Sequence, residues 1–366
     1  MGFSVLVDSC VVGAQEIFSA QGADRVQLCD ATEIADALLS DPFDGLVVRS
    51  GTRVDRGLLQ EVRTEFVATA TVGVDHVDEV YLSERGIHFA HAAGSSARTV
   101  AEFTLTMAIT ALNRLGRDDN CDLSIAVIGH GAIGSRVACA AREMGWCVLP
   151  VDPPLQRAGD DSMLPLSEAI EQADIVTLHV PLTRSGEDRT LNMVNEPFLS
   201  RLKPGALLIN TARGAIVDEE ALLHALATEG AAGAALDVFC DEPTPDERLL
   251  QEATVVTPHV AGRTLDGLMA NTLSIGEQMA CYLGHTNRTA ATVALPSAEL
   301  ASIGDGSRSD LILKTWDLCA IEETLRAGDF AGARRMAQKR RDLGAHDLPS
   351  NATEQQRRFH KILKSL

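Results

Sequence analysis

The sequence predicts an α/β protein built from two doubly wound parallel sheets, with a smaller C-terminal extension. Three observations predict it. Short apolar runs alternate with amphipathic stretches over residues 3–93, a second alternating series occupies 124–258, and one long stretch at 96–115, apolar on most sides, separates them. Such alternation specifies parallel strands, because each parallel pair needs a crossover that a helix supplies.

In the first series SVLV (4–7), GLVVR (45–49), FVATA (66–70) and IHFA (87–90) read as strands. Residues 32–39 carry helical spacing, with Thr32 as the N-cap. Residues 96–115 read as a single buried helix. In the second series the strands are SIAVIG (124–129), WCVLPVD (146–152), DIVTLHV (174–180), ALLIN (206–210), GAALDV (233–238) and ATVVTP (253–258), and 264–285 is a helix leading away from them. The expected domains are 1–97 completed by 267–286, then 98–266, then the extension 287–366, with hinges at the crossings near 97 and 266. Beyond about 290 the strand signals fade. The tail is polar, and its basic cluster Arg334, Arg335, Lys339, Arg340 and Arg341 reads as a solvated helical face.

Composition narrows the function. A formal charge of −19 argues against a phosphate-neutralising surface, and so against a nucleic-acid partner, while leaving room for a few arginines to hold a small anion. There is no long uninterrupted apolar run, so no membrane span is expected. MGFSVLVD lacks the pattern of a secretory signal. The eight cysteines form no CxxC pair and no cluster at zinc spacing, so the expectation is reduced, mostly buried thiols, no metal, and the cytoplasm.

The strongest local motif is Gly129-His130-Gly131-Ala132-Ile133-Gly134. A bare GxGxxG means little. This one follows a strand, opens a helical stretch (132–144), and precedes a second strand ending in Asp152, eighteen residues after Gly134. That is the setting in which glycines admit a pyrophosphate to a helix N-terminus. Asp152 would bond the ribose hydroxyls and repel a 2′-phosphate, so the domain reads as Rossmann-like and its cofactor as NAD rather than NADP.

Three polar residues follow strands of the second series: Arg213 after ALLIN, Glu242 after GAALDV and His259 after ATVVTP. Ligands of open α/β sheets bind at that edge. An Arg fork grips a carboxylate, a His exchanges the proton of a hydroxyl, and a Glu on the other imidazole nitrogen fixes the tautomer. Singly, such residues are more often structural. His179 ends a strand beside the expected cofactor site, while His76, His88 and His91 read as structural.

Over about 3–285 the chain resembles the D-isomer-specific 2-hydroxyacid dehydrogenases. The resemblance rests on VGVDHVD (72–78), GHGAIG, LKPGALLINTARGAIVDEEALLHAL (202–226), ALDVFCDEP (235–243) and TPHVAG (257–262). It implies Arg213, Glu242 and His259 as the catalytic set. It also implies a cleft between the two domains, the first of them binding substrate, and a homodimer. Gly129, Gly131, Ala132, Ile133, Gly134, Asp152, His179, Thr211, Ala212, Asp237 and Gly262 would line the NAD site, and Ser50, Thr71 and Gly73 would contact the substrate. Within the family the chain is most similar to members that oxidise a phosphorylated sugar acid in vitamin B6 biosynthesis, on LVVRSGTRV (46–54), TATVGVDHVDEVYL (69–82), Asp152-Pro153-Pro154 and HVAGRTLDG (259–267). By that resemblance KRRDL (339–343) would hold the phosphate of a small anionic 2-hydroxy acid. The chain differs from the common pattern at Ser96, where Asn is usual, and at Arg263, where an aromatic residue is usual. A sister dehydrogenase acting on another acid such as 3-phosphoglycerate, and an NAD-sensing corepressor-like protein without turnover, stay open.

Overall fold

The computed structural model describes residues 2–117, 122–228, 233–284, 293–298, 311, 316 and 318–366. The chain divides into two compact units, Met1–Ser96 with Leu265–Pro296, and Ala97–Thr264 with Ser297–Leu366.

The first unit holds strands β1 (Phe3–Asp8), β2 (Ala23–Cys29), β3 (Gly45–Val48), β4 (Phe66–Thr69) and β5 (His88–His91) in the order β2-β1-β3-β4-β5, every pair parallel. β3 and β4 are buried at every residue because helices cover both faces of the sheet. The helix Leu265–Tyr282 returns to this unit and places Ile275 and Met279 in the core with Val5, Val47 and Phe66. Two expectations need correction. β2 was absent from the sequence reading, since ADRVQLC is polar and lies on the sheet edge. Thr32 is not a cap: it lies in a turn closed by Glu33 N to Asp30 O at 2.8 Å, and the helix Ile34–Ser40 begins after Glu33 without a side-chain cap.

The second unit holds β6 (Ser124–Ile128), β7 (Cys147–Val151), β8 (Ile175–Leu178), β9 (Leu207–Asn210), β10 (Gly233–Leu236) and β11 (Val255–Val256) in the order β11-β10-β9-β8-β6-β7, again parallel throughout. β6 has β7 on one side and β8 on the other, so the crossovers diverge there and open a crevice at the strand ends. The helix Ala97–Arg114 is buried along nearly its whole length, as expected from its small and apolar residues.

The described part of the tail shares the core of this unit. Trp316, Leu318, Ile321, Phe330, Leu343 and Phe359 belong to one cluster with the strand residues Ile125, Val176 and Leu208. Glu322 is buried, takes two bonds from Arg114 (2.9 and 2.7 Å), and accepts from Val256 N at 2.9 Å. A tail carboxylate thereby satisfies the outer edge of β11. Asp342 accepts from Thr99 Oγ1 at 2.9 Å and from Thr264 Oγ1 at 2.5 Å, while Glu102 accepts from the backbone N–H groups of Leu343 and Gly344.

Burial, with the Asp342 charge beside it, pushes the Glu102 carboxyl up to about 8 despite those two donors. The unfolded chain releases this proton near the ordinary 4.5, so the folded state binds more protons between about pH 4.5 and 8. Stability from this group therefore falls as pH rises through that window and levels above it. Glu102→Gln removes the dependence. The difference in Tm between the variant and wild type should grow from pH 5 to 8 in thermal scans, and a constant difference would refute the assignment.

The cysteines also differ from expectation. Of those described, only Cys29 is buried; Cys10, Cys139, Cys147, Cys240, Cys281 and Cys319 are exposed and none is paired. Cys139 and Cys147 lie in apolar stretches, yet their own positions face outward on a helix and at a strand start. Among the described residues no group of His, Cys, Asp or Glu could hold a metal ion, and no helix is long and apolar enough to cross a membrane.

Candidate active site

The glycine turn sits at the end of β6. Gly129 has φ +91°, and a Cβ there would stand 2.7 Å from the His179 backbone at the end of β8. A Cβ on Gly134 would meet Gly129 O at 1.9 Å, so the helix Gly134–Glu143 can press onto the turn only with glycine in place. Gly131 faces open space, with no protein atom within 4 Å of its would-be Cβ. Ala132 and Ile133 lead from there into the helix N-terminus, whose free N–H groups favour an anion. Asp152 follows β7. Its Oδ2 accepts from His130 N at 2.9 Å and its Oδ1 from Leu155 N at 3.1 Å, which orients the carboxylate at the crevice. Two tight glycines, one open glycine and an oriented Asp fit a dinucleotide. Beside them, burial drives the His179 imidazole down to about 3, so it stays neutral, bonded to Thr177 Oγ1 at 3.1 Å.

Arg213 follows β9 in extended backbone. Asn210 shapes its loop: Asn210 Nδ2 donates to Arg213 O at 2.9 Å and Asn210 Oδ1 accepts from Ala212 N at 3.0 Å. Thr211 is buried, its hydroxyl 3.2 Å from that of Thr104. Gly214 is required for a different reason, since a Cβ would lie 1.9 Å from the Phe239 carbonyl carbon. That contact seats the Arg213 loop on the segment leading to Glu242. Sequence reading missed Asn210 and Gly214 because neither contributes a reactive group.

His259 and Glu242 are joined. His259 Nδ1 lies 2.7 Å from Glu242 Oε2, and Phe239 N donates to Glu242 Oε1 at 3.1 Å. Burial alone would push the Glu242 carboxyl up. The His259 bond and charge, the Phe239 N–H and the Arg334 charge outweigh it and hold the group below its ordinary value. An ionised carboxylate only accepts, so Nδ1 carries a proton in either form of the ring, and in the neutral form Nε2 keeps a lone pair. His259 itself adopts φ +56°, a strained region for a side-chain-bearing residue, with its N–H on Asp237 O at 2.6 Å.

Asp237, expected to line the cofactor, stands behind the turn that presents His259. It is fully buried, its Oδ1 accepts from Thr257 Oγ1 (2.6 Å) and Val260 N (2.8 Å), and its Oδ2 accepts from Ala261 N (3.0 Å). Burial raises its carboxyl to about 6. Its oxygens are spent inside the protein, on the turn that presents His259 and continues to Gly262. It therefore supports the site from behind.

In the first unit, Ser50 follows β3 and Thr71 follows β4. These strands are paired neighbours, so both residues stand at one carboxyl edge. Thr71 Oγ1 lies 2.7 Å from Thr69 Oγ1 and donates to Gly73 O at 2.8 Å. Ser50 is exposed, and the neighbouring Arg49 is buried with a bond to Cys10 O at 3.3 Å.

The basic cluster is not one solvated face. Arg335 and Lys339 are exposed, but Arg340 lies over the Trp316 ring at 5.3 Å and Arg334 is largely covered. KRRDL is an anchoring segment as much as a basic one, with Asp342 and Leu343 buried.

Residues 96–261 match the family described as D-isomer specific 2-hydroxyacid dehydrogenase, NAD binding domain. An erythronate-4-phosphate dehydrogenase of Salinibacter ruber is 35% identical over 95% of this chain and 94% of its own. The chain belongs to the D-isomer-specific 2-hydroxyacid dehydrogenase family. A second erythronate-4-phosphate dehydrogenase, from Marinobacter nauticus, is 40% identical over 73% of this chain and 70% of its own. Among solved structures, a D-lactate dehydrogenase from Aquifex aeolicus complexed with NAD and lactic acid is similar with a TM-score of 0.61 and 27% identity, over 77% of this chain and 96% of that one. As a member of this family the chain is an NAD-dependent dehydrogenase of a hydroxy acid.

Proposed function

We propose that the chain oxidises 4-phospho-D-erythronate at its second carbon, giving the 2-oxo acid. The observation that carries the reading is the 2.7 Å contact between His259 Nδ1 and Glu242 Oε2, which leaves His259 Nε2 as a base, with the Arg213 loop seated beside the pair. The phosphorylated substrate is supported by the name shared by the Salinibacter and Marinobacter relatives.

When bound, NAD would supply the acceptor for the hydride of the carbinol carbon. Arg213 grips the substrate carboxylate through its planar fork and fixes that carbon in place. His259 Nε2 takes the hydroxyl proton, and Glu242 stabilises the imidazolium that forms. In the reverse direction His259 returns the proton. The glycine turn and the helix Gly134–Glu143 would hold the pyrophosphate, and Asp152 the adenosine ribose. Ser50, Thr71 and Gly73 would contact the substrate from the first unit. Two copies are proposed to pair as a homodimer, and the unpaired described cysteines support a reducing compartment such as the cytoplasm.

The test is NADH formation with 4-phospho-D-erythronate, beside 3-phosphoglycerate, D-lactate and D-glycerate, with and without a 2-oxo acid to reoxidise cofactor that stays bound. A kcat/KM at least about 100-fold higher for 4-phosphoerythronate is expected. Preference for another acid would replace the substrate and keep the chemistry. Bound NAD without turnover on any acid would point to a sensor.

A further inference from the structure

Arg334 stands in the helix Phe330–Ala337, which buries Phe330, Ala333 and Ala337. Its guanidinium lies over the Phe330 ring, 5.5 Å from the centroid. One turn further on, the Gln338 side-chain oxygen accepts from Arg263 Nε at 3.2 Å and from Arg263 Nη2. The row Phe330, Arg334, Gln338 recurs every four residues and so shares one helical face. That face meets the Arg263 side chain through Gln338, and the Arg334 charge acts on both Glu242 and Asp237.

Among the described residues the Arg334 guanidinium nevertheless has no hydrogen-bond or ion-pair partner. Its Nε is sealed from solvent and has no hydrogen-bond partner, and among the described residues no carboxylate comes within ion-pair distance of the guanidinium. The two nearby carboxylates are already engaged. Asp237 serves Thr257, Val260 and Ala261, and Glu242 serves His259 and Phe239. Covering an Arg without a partner is costly, and burial indeed works against its charge. The cost is recovered when an anion arrives that can accept its planar set of donors.

We infer that Arg334 is the residue of the C-terminal segment that receives the phosphate end of the substrate. The inference rests on the function proposed above, in which Arg213 holds the carboxylate end and a second cation is required for the other. It replaces the wider expectation for KRRDL by one side chain outside that segment.

The experiment compares wild type, Arg334→Gln and Arg334→Lys as full chains, on 4-phospho-D-erythronate and on unphosphorylated D-erythronate, with inorganic phosphate as competitor. Tm and NADH binding report folding. Loss of one partner of a charged hydrogen bond predicts that R334Q lowers the preference for the phosphorylated acid about 100-fold, mainly through KM, and weakens phosphate inhibition by a similar factor. R334K, which keeps the charge without the fork, should recover part of both, so a glutamine variant that misfolds leaves the proposal testable. Equal losses on the two acids, or unchanged inhibition by phosphate, would overturn it. Should wild type prefer a different acid, the proposed substrate fails. Phosphate competition against that acid in the wild-type and variant chains then still decides the role of Arg334.

Discussion

Replacing His259 by Asn is expected to lower kcat for oxidation about 10³–10⁴-fold, the range for removal of the proposed general base. Asn keeps a polar group of similar reach for Glu242 but offers no basic nitrogen at the Nε2 position. The side chain stands at a strained turn held by Asp237 through Val260 N and Ala261 N, so its removal leaves the cofactor crevice of β6, β7 and β8 untouched. NADH affinity, read by fluorescence titration, should therefore stay within about threefold, because the lost interaction matters chiefly in the transition state. A kcat within tenfold of wild type would remove His259 from proton transfer.

Arg213→Ala should lower kcat/KM about 10³-fold, by removing both the carboxylate clamp and a positive charge near the carbon that becomes a carbonyl. Arg213→Lys should restore little, since an ammonium cannot make two parallel bonds. The loop loses the bond from Arg213 Nη1 to Ala212 O at 2.8 Å but should survive, because the Asn210 bonds and the seat at Gly214 remain. Isothermal titration with NAD separates the cases. Affinity near that of wild type places Arg213 on the substrate, whereas equal loss of NAD affinity and turnover would show that it shapes the cofactor site.

Much of this was legible in the sequence because the signals were local. Fully buried strands such as Leu207–Asn210 announce themselves as apolar runs, and reactive residues just beyond them fall at the strand-end edge by topology alone. The glycine turn was legible because its glycines stand at fixed spacing directly after β6, where Gly129 and Gly134 make close approaches and Gly131 leaves space open. What escaped lacked a local signal. β2 is an edge strand whose polar side chains carry no apolar periodicity. Asn210 and Gly214 act through backbone bonds and close approach. Asp237 looked like an open carboxylate in sequence, yet the fold closes three donors over it. The Arg334 charge acts on Glu242 and Asp237 across a long stretch of chain, and no motif in the tail marks that proximity.

The bonds from Thr99 and Thr264 to the single carboxylate of Asp342 bear on the order in which the protein can be assembled during synthesis. Domains form largely in the order in which they leave the ribosome, at roughly 5–20 residues per second. The sheet from β6 to β11 is complete in the nascent chain by Val256, but the carboxylate that ties together Thr99 and Thr264, on the segments before and after it, is translated much later. Until residues 342–344 emerge, Glu102 lacks its two backbone donors and the threonines at the two ends lack their common acceptor. The nucleotide-binding sheet must therefore wait, already threaded, for its last stitch. A chain stalled before residue 342 would display that sheet with both ends untied, a natural substrate for proteases that survey unfinished proteins.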